Sequence, residues 1–388
     1  MENIISQRIS KVPPSGIRKF FELLSSGEIK DVISLGVGEP DYATPWHIRE
    51  AAIHSLEQGY TMYTSNSGML ELRQEIARYL KNTYHLDYNP NTELLITNGV
   101  SEGLDLAMRA ILDPEDEVIM PDPSYVSYPS CVLFADGVPV HIPTNCENEF
   151  KLPAGDVEAR INNRTKAILI GYPANPTGAI MEMDELAEIA DVARRHNLLV
   201  ISDEIYNLLV YGTEPTCFAC LPDMKEQTIL LGGFSKAYAM TGWRIGYVAG
   251  NAEIIAAMTK IHQYTALCAS IMGQKAAIEA LKAGEEEVKL MVEDYDHRRR
   301  VIVKGLNDIG LACFEPKGAF YAFPSITATG LSSEDFAEKL LFEEKVAVVP
   351  GTAFGQCGEG HVRCCYATSM SEIEEALKRM GRFVEKFK

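Results

Sequence analysis

The sequence predicts an α/β protein in which helices sandwich a mostly parallel sheet, with a smaller α+β domain after it. Three observations carry that prediction. Short apolar runs such as Leu94-Leu95-Ile96, Ala167-Ile168-Leu169-Ile170 and Thr228-Ile229-Leu230-Leu231 alternate with longer segments of helical period. Runs that are apolar at consecutive positions suit strands covered on both faces. Polar or glycine-rich residues follow run after run, and past Gly250 the pattern turns helical before a last group of short strands.

With 388 residues the chain exceeds one ordinary core, so two domains are expected. The boundaries fall as an N-terminal segment over 1–45, a large domain over 46–285 and a small one over 286–388, the last opening on a long charged helix from Glu285 to Leu306. The balance of 36 basic against 54 acidic residues gives a net charge of −18, which argues against nucleic acid or an anionic membrane as partner. The stretch from Met1 to Arg8 has no long apolar core and no cleavage pattern, so no signal peptide is expected, and no apolar run reaches membrane-spanning length. Nine irregularly spaced cysteines suit a reducing cytoplasm, and the lone Cys217-Phe218-Ala219-Cys220 reads as packing.

Taken in order, Pro13-Pro14-Ser15-Gly16-Ile17 is a rigid extended piece. Val32 to Leu35 is a short strand ending in Gly36-Val37-Gly38-Glu39-Pro40-Asp41, where two glycines permit close backbone approach. A dinucleotide fingerprint is disfavoured, since the third glycine and the following helix are missing. Helices are predicted over 46–58 and 70–80, around a polar aromatic loop, Tyr60 to Gly68, that is either a subunit contact or a site element. The strand Glu93 to Thr97 leads through Gly99-Val100-Ser101 into a helix ending near Leu112. That geometry offers backbone N–H groups to an anion, and equally describes a plain βα turn. Strands over 117–120, 166–170 and 198–201 end in Asp122-Pro123-Ser124-Tyr125, Asn175-Pro176-Thr177-Gly178 and Ser202-Asp203-Glu204-Ile205-Tyr206. A helix is predicted over 183–196. The Gly232-Gly233 pair breaks the next strand, and Ser235-Lys236 follows. The small domain carries strands at 319–323, 346–349 and 362–366, with helices over 333–344 and 370–387.

In open α/β sheets ligands bind at the carboxyl ends of the strands, so Gly99, Tyr125, Asn175, Asp203 and Lys236 are expected to converge. A lysine among small and apolar residues is desolvated, which lowers its pKa and makes it a nucleophilic amine able to form Schiff bases. Pyridoxal phosphate (PLP) needs such an amine, an anion for its ring nitrogen, donors for its phenolic oxygen and a phosphate cradle. Lys236, Asp203, the pair Asn175 and Tyr206, and Arg244 with the Gly99 turn supply these, while Tyr125 offers a ring face. The competing structural reading makes Lys236 a core lysine paired with carboxylates, Arg244 part of an ion pair and Asp203 a strand cap.

Asn175-Pro176-Thr177-Gly178, Ser202 to Tyr206, Ser235-Lys236 and Met240-Thr241-Gly242-Trp243-Arg244-Ile245-Gly246 resemble the signature set of fold-type-I, PLP-dependent class I/II aminotransferases. The likeness runs from Gly36 to Ser369 and is similar to the aromatic and aspartate group, with His262-Gln263-Tyr264 and Cys268-Ala269-Ser270 resembling the N-acetyl-LL-diaminopimelate type. The resemblance implies that Lys236 carries the cofactor aldehyde and shuttles a proton, that Asp203 pairs with the pyridinium, and that Asn175 and Tyr206 bind the phenolic oxygen. It implies Ser235 and Arg244 at the phosphate, Arg363 at the substrate α-carboxylate with Asn175 and the Gly38 N–H, and Tyr63 lent to a partner subunit's phosphate in a homodimer. It further implies cis peptide bonds at Asp122-Pro123 and Asn175-Pro176. The chain departs from many relatives in carrying Tyr125 for tryptophan or phenylalanine, Gly233 for serine, and Ser101 where dicarboxylate-handling enzymes place lysine. The expected activity is ping-pong transfer of an amino group from an L-amino acid, aromatic first, to a 2-oxo acid such as 2-oxoglutarate. N-acetyl-LL-diaminopimelate or aspartate specificity, a C–S β-lyase and a non-catalytic PLP-binding regulator are the alternatives.

Overall fold

The computed structural model describes residues 4–12 and 30–387; the Pro13 to Ile17 piece lies outside them. Among the described residues a short helix, α1 (Gln7–Ser10), precedes strand β1 (Ile33–Ser34) and helices α2 (Trp46–Glu57) and α3 (Leu70–Tyr84). The sheet-forming stretch then runs β2 (Leu94–Thr97), α4 (Val100–Ile111), β3 (Glu117–Asp122), α5 (Ser127–Phe134), β4 (Val138–Pro143), α6 (Ala154–Arg160), β5 (Thr165–Ile170), α7 (Met183–Arg195), β6 (Leu199–Asp203), β7 (Thr228–Gly233) and β8 (Gly246–Ala249). Helices α8 (Ala252–Thr265), α9 (Ile271–Ala283) and α10 (Glu285–Asp308) follow. The chain closes with β9 (Tyr321–Ala322), α11 (Ser333–Glu344), β10 (Val346–Ala347), β11 (Val349–Pro350), β12 (Val362–Cys365) and α12 (Met370–Glu385).

Seven strands form one sheet in the order β2-β8-β7-β6-β5-β3-β4. Only β8 runs against its neighbours, β2 and β7, so β2 points the same way as the five other strands. The carboxyl ends of β2, β3, β5, β6 and β7 therefore share one edge of the sheet. Strands β2 and β3 are buried at every position, as sheets covered on both faces demand. The largest core joins this sheet to the strands nearest the C-terminus, holding Leu230 and Tyr206 together with Cys364 and Tyr366. A parallel pair, β1 with β10, forms a two-stranded sheet of its own, separate from the three-stranded sheet β11-β12-β9.

Several expectations need correction. The Gly232-Gly233 pair does not break its strand; β7 runs through both, pairing Gly232 with Tyr247 and Gly233 with Gly246. The glycine is required sideways, because a Cβ on Gly232 would sit 2.2 Å from Tyr247 Cζ. The run Val346 to Val349 is two short strands in separate sheets. Strand β4 and helices α5 and α6 escaped the pattern. The first is a half-exposed edge with two prolines, the placement sheets allow that residue, and the helices span only two turns.

Gly232→Ala is expected to lower stability by about 1–3 kcal/mol, because the buried Tyr247 ring has to move. Gly155→Ala, in a helix with open space around it, should leave stability level or raise it by about 0.5–1 kcal/mol. Urea midpoints of the two variants give the comparison.

Candidate active site

The shared strand edge opens on a cavity of about 400 Å³. Its wall includes Gly38, Val100, Ser101, Tyr125, Asn175, Asp203, Tyr206, Ser235, Lys236, Arg244 and Arg363. The structure thus brings together residues far apart in the chain, in the way the strand-end argument requires. Gly99 lies just behind the wall at a φ of +81°, and a Cβ there would meet Arg244 Nη2 at 2.5 Å. Tyr63 does not reach this cavity; it is 79% exposed.

Lys236 follows the end of β7. Its Nζ donates to the Gly38 carbonyl at 2.6 Å and lies 5.6 Å from the Tyr206 ring centre. Among the described residues it has no carboxylate partner, so the core-lysine ion pair is not what the fold builds. Burial lowers the ammonium to about 8, with Arg363 and Arg244 acting in the same direction against Cys365 and Glu39. Asp203 closes β6. Burial raises its carboxyl to about 6, against hydrogen bonds from Tyr128 and the Ile205 N–H and the charge of Lys236. Tyr128 Oη donates to Asp203 Oδ2 at 2.9 Å and packs edge-on against Tyr125.

Arg363 rises from β12 and is 2% exposed. Its Nη1 donates to Asn175 Oδ1 at 2.8 Å and its Nη2 to the Gly36 carbonyl at 2.7 Å, under the ring of Tyr321. Its Nε is buried without a partner. Because Asn175 accepts through Oδ1, its Nδ2 hydrogens remain for another group. Tyr206 Oη lies 2.6 Å from Tyr321 Oη. Arg244 adopts a left-handed backbone at φ +55° and donates from Nη1 to the Thr241 carbonyl at 3.0 Å. Opposite it, Val100 and Ser101 occupy the first helical positions of α4, whose N–H groups have no acceptor within the helix.

Tyr128 and Tyr321 were not singled out from sequence. Tyr321 sits in the apolar run Ala319 to Phe323, where an aromatic reads as core, and Tyr128 sits in a helix that the pattern concealed. The structure shows the link that sequence does not: a Cβ on Gly38 would lie 2.6 Å from the Tyr321 hydroxyl, so the glycine at 38 is fitted to it. Gly233 is likewise fitted, since a Cβ there would meet Ile205 Cδ1 and Val100 Cγ2 at 3.0 Å. Peptide bonds before Pro123, Pro173 and Pro176 are cis.

The profile of the family "Aminotransferase class I and II" matches residues 30–380. The chain belongs to the class I and II aminotransferases. Among curated relatives of this aminotransferase is the "Putative aminotransferase YugH" of Bacillus subtilis, 53% identical over 386 residues and covering 100% of both chains. The "Aspartate aminotransferase" of Pyrococcus abyssi is 44% identical over 387 residues, covering 99% of each. Among solved structures, the aromatic aminotransferase from Pyrococcus horikoshii superposes with a TM-score of 0.90 at 43% identity, covering 95% of this chain and 99% of that one. The fold is that of fold type I, and the protein is a PLP-dependent transaminase.

The cavity fits that cofactor by its own chemistry. A weakly basic amine without a carboxylate partner among the described residues, a buried carboxylate, and an arginine facing free helix N–H groups are the donor set an anionic pyridine aldehyde needs. Among the described residues no helix is long and apolar enough to cross a membrane.

The Lys236 ammonium has a testable cost. The folded protein sheds this proton near pH 8, whereas an unfolded lysine keeps it to about pH 10.4, so its penalty on folding is full below 8 and fades as pH climbs between the two. In protein stripped of cofactor, Lys236→Met should therefore be more stable than the parent at pH 7, by about 1–3 kcal/mol after allowing for partial solvent contact. The advantage should shrink towards pH 10.5, as followed by denaturant titration at several pH values.

Proposed function

We propose that this aminotransferase moves the amino group of an aromatic L-amino acid to a 2-oxo acid such as 2-oxoglutarate by a ping-pong mechanism. The observation that carries the choice of side chain is the lining of the cavity. Its cations among the described residues are Lys236, Arg244 and Arg363, all engaged by the roles below, so no cation remains for a distal carboxylate. Position 101 is serine, Glu39 adds a negative charge, and Tyr125, Tyr128 and Tyr321 supply ring surface.

In this reading Lys236 would hold the cofactor aldehyde, Asp203 its ring nitrogen, Asn175 Nδ2 and Tyr206 its phenolic oxygen, and Tyr125 its ring face. Gly99, Val100, Ser101, Ser235 and Arg244 would hold the phosphate. When bound, the cofactor supplies an electron-withdrawing ring and the carbonyl that takes up the amino group. Arg363 grips the substrate α-carboxylate through its planar fork, with Asn175 and the Gly38 N–H alongside. That grip orients the substrate so that its Cα hydrogen faces Lys236. The Lys236 amine, about half of it in the neutral form near pH 8, would take this proton from the substrate Cα and pass it to the cofactor carbon that had carried the carbonyl oxygen, not back to Cα. Tyr128, hydrogen-bonded to Oδ2, fixes the Asp203 carboxylate, and a cation at the ring nitrogen favours its ionised form.

We further assign residues 46–285 to a cofactor-bearing domain and 286–388 to a smaller one; of the N-terminal segment 1–45, residues 30–45 pack on the small domain and the site, whereas α1 lies against α5 of the larger domain, where Arg8 pairs with Asp136. The protein works as a cytoplasmic homodimer in which the exposed Tyr63 serves the neighbouring subunit's phosphate. Aspartate is the second reading, supported by relatives of that name, and N-acetyl-LL-diaminopimelate the third, since one relative is a probable enzyme for that substrate.

Single amino acids mixed with PLP-loaded protein, without oxo acid, test the reading. Phenylalanine or tyrosine should bleach the visible cofactor band fastest, each releasing its 2-oxo acid and no ammonia. Faster bleaching with aspartate would displace the aromatic assignment, and ammonia release would make the enzyme a lyase. Lys236→Ala should lose about 10³-fold or more in turnover. Arg363→Lys, which loses the two-pronged grip, should lower kcat/KM by roughly 100-fold, mainly through KM.

A further inference from the structure

The first turn of α4 carries a carboxylate, Glu102, where negative charge opposes the capture of an anion. Glu102 follows Ser101, one position into the helix from the cavity wall. Negative charge in a first helical turn satisfies part of the dipole field that a phosphate would otherwise use. The Glu102 side chain is turned away from the cavity and fully engaged. Its Oε2 accepts the Asn98 backbone N–H at 2.6 Å and Asn98 Nδ2 at 3.1 Å. Its Oε1 accepts from His262 Nδ1 at 2.8 Å. His262 stands on α8 at 0% exposure, and its Nε2 is buried with no partner. Burial pushes the Glu102 carboxyl up, but the hydrogen bonds from His262 and Asn98 outweigh it and hold the group below its usual range.

We infer that His262, acting through Glu102, is a positioning residue for the phosphate-binding turn Asn98 to Ser101. The inference rests on the proposed PLP site. The imidazole fixes the carboxylate from behind. The carboxylate pins the amide preceding Gly99, and Gly99 holds its left-handed backbone against Arg244. The N–H groups of Val100 and Ser101 are thereby aimed into the cavity together with the guanidinium. An unbraced Glu102 would be free to swing its charge towards the phosphate and let the glycine turn relax. His262 is not part of the cavity wall, so its effect is confined to the phosphate end of the site through Glu102.

That confinement supplies the test. Affinities of stripped protein for PLP and for pyridoxal, which lacks the phosphate, are measured by equilibrium dialysis. The wild type should bind PLP far more tightly than pyridoxal. His262→Leu should weaken PLP by about tenfold or more and leave pyridoxal unchanged. His262→Asn, whose amide places a donor where Nδ1 stood, should stay within about threefold of the wild type. Glu102→Ala should reproduce the His262→Leu pattern, and serves in its place if the buried leucine prevents folding. Equal losses for both ligands, or no loss of PLP affinity, would overturn the inference and leave His262 a packing residue. Wild-type protein that binds no PLP would instead strike at the cofactor site itself.

Discussion

Arg363 is the joint on which the site depends. Its two bonds tie β12 to Asn175 beyond β5 and to the carbonyl of Gly36, so three distant parts of the chain meet on one guanidinium. The burial that makes the joint strong also leaves its Nε without a protein partner, a cost a folded protein rarely accepts without use. By accepting through Oδ1, Asn175 has its amide orientation fixed by the same contact. In the proposed reading, one residue therefore sets both the place of a substrate anion and the direction of a donor towards the cofactor.

Lys236 and Asp203 are held in a complementary tension. Each is desolvated enough to disfavour its charge, the amine falling to about 8 and the carboxyl rising to about 6. Neither finds a direct partner of opposite sign. Such a pair is poorly placed for stability and well placed to receive a molecule with an electrophilic carbon at one end and a basic ring nitrogen at the other. Tyr128 steadies the carboxylate without neutralising it.

Much of this was legible in the sequence because parallel sheets bury whole strands. Continuous apolar runs marked β2, β3, β5, β6 and β7, and the polar residues after them marked the site edge. What remained hidden was hidden for physical reasons. The reversed strand β8 is a short apolar stretch whose direction leaves no trace in composition. Gly232 reads as a breaker because sequence records its missing side chain and not the tyrosine ring crossing over it. Tyr128, Tyr321 and His262 sit on apolar elements, where a polar tip is invisible until the partner appears. Arg363 gave no chemical signal of its own and was reached only through family resemblance.

The Lys236 amine and the Arg244 guanidinium hang from a single reversal of the chain. Lys236 and Arg244 lie between β7 and β8, and the neck of that reversal is Gly233 paired with Gly246. A Cβ on Gly246 would lie 2.7 Å from the Val100 nitrogen, so the neck also presses directly on the helix start. If Lys236 and Arg244 take the roles proposed for them, covalent anchoring and anion capture both depend on the closure of one hairpin base. On that reading, any opening of the base wide enough to free the phosphate end would also loosen the lysine.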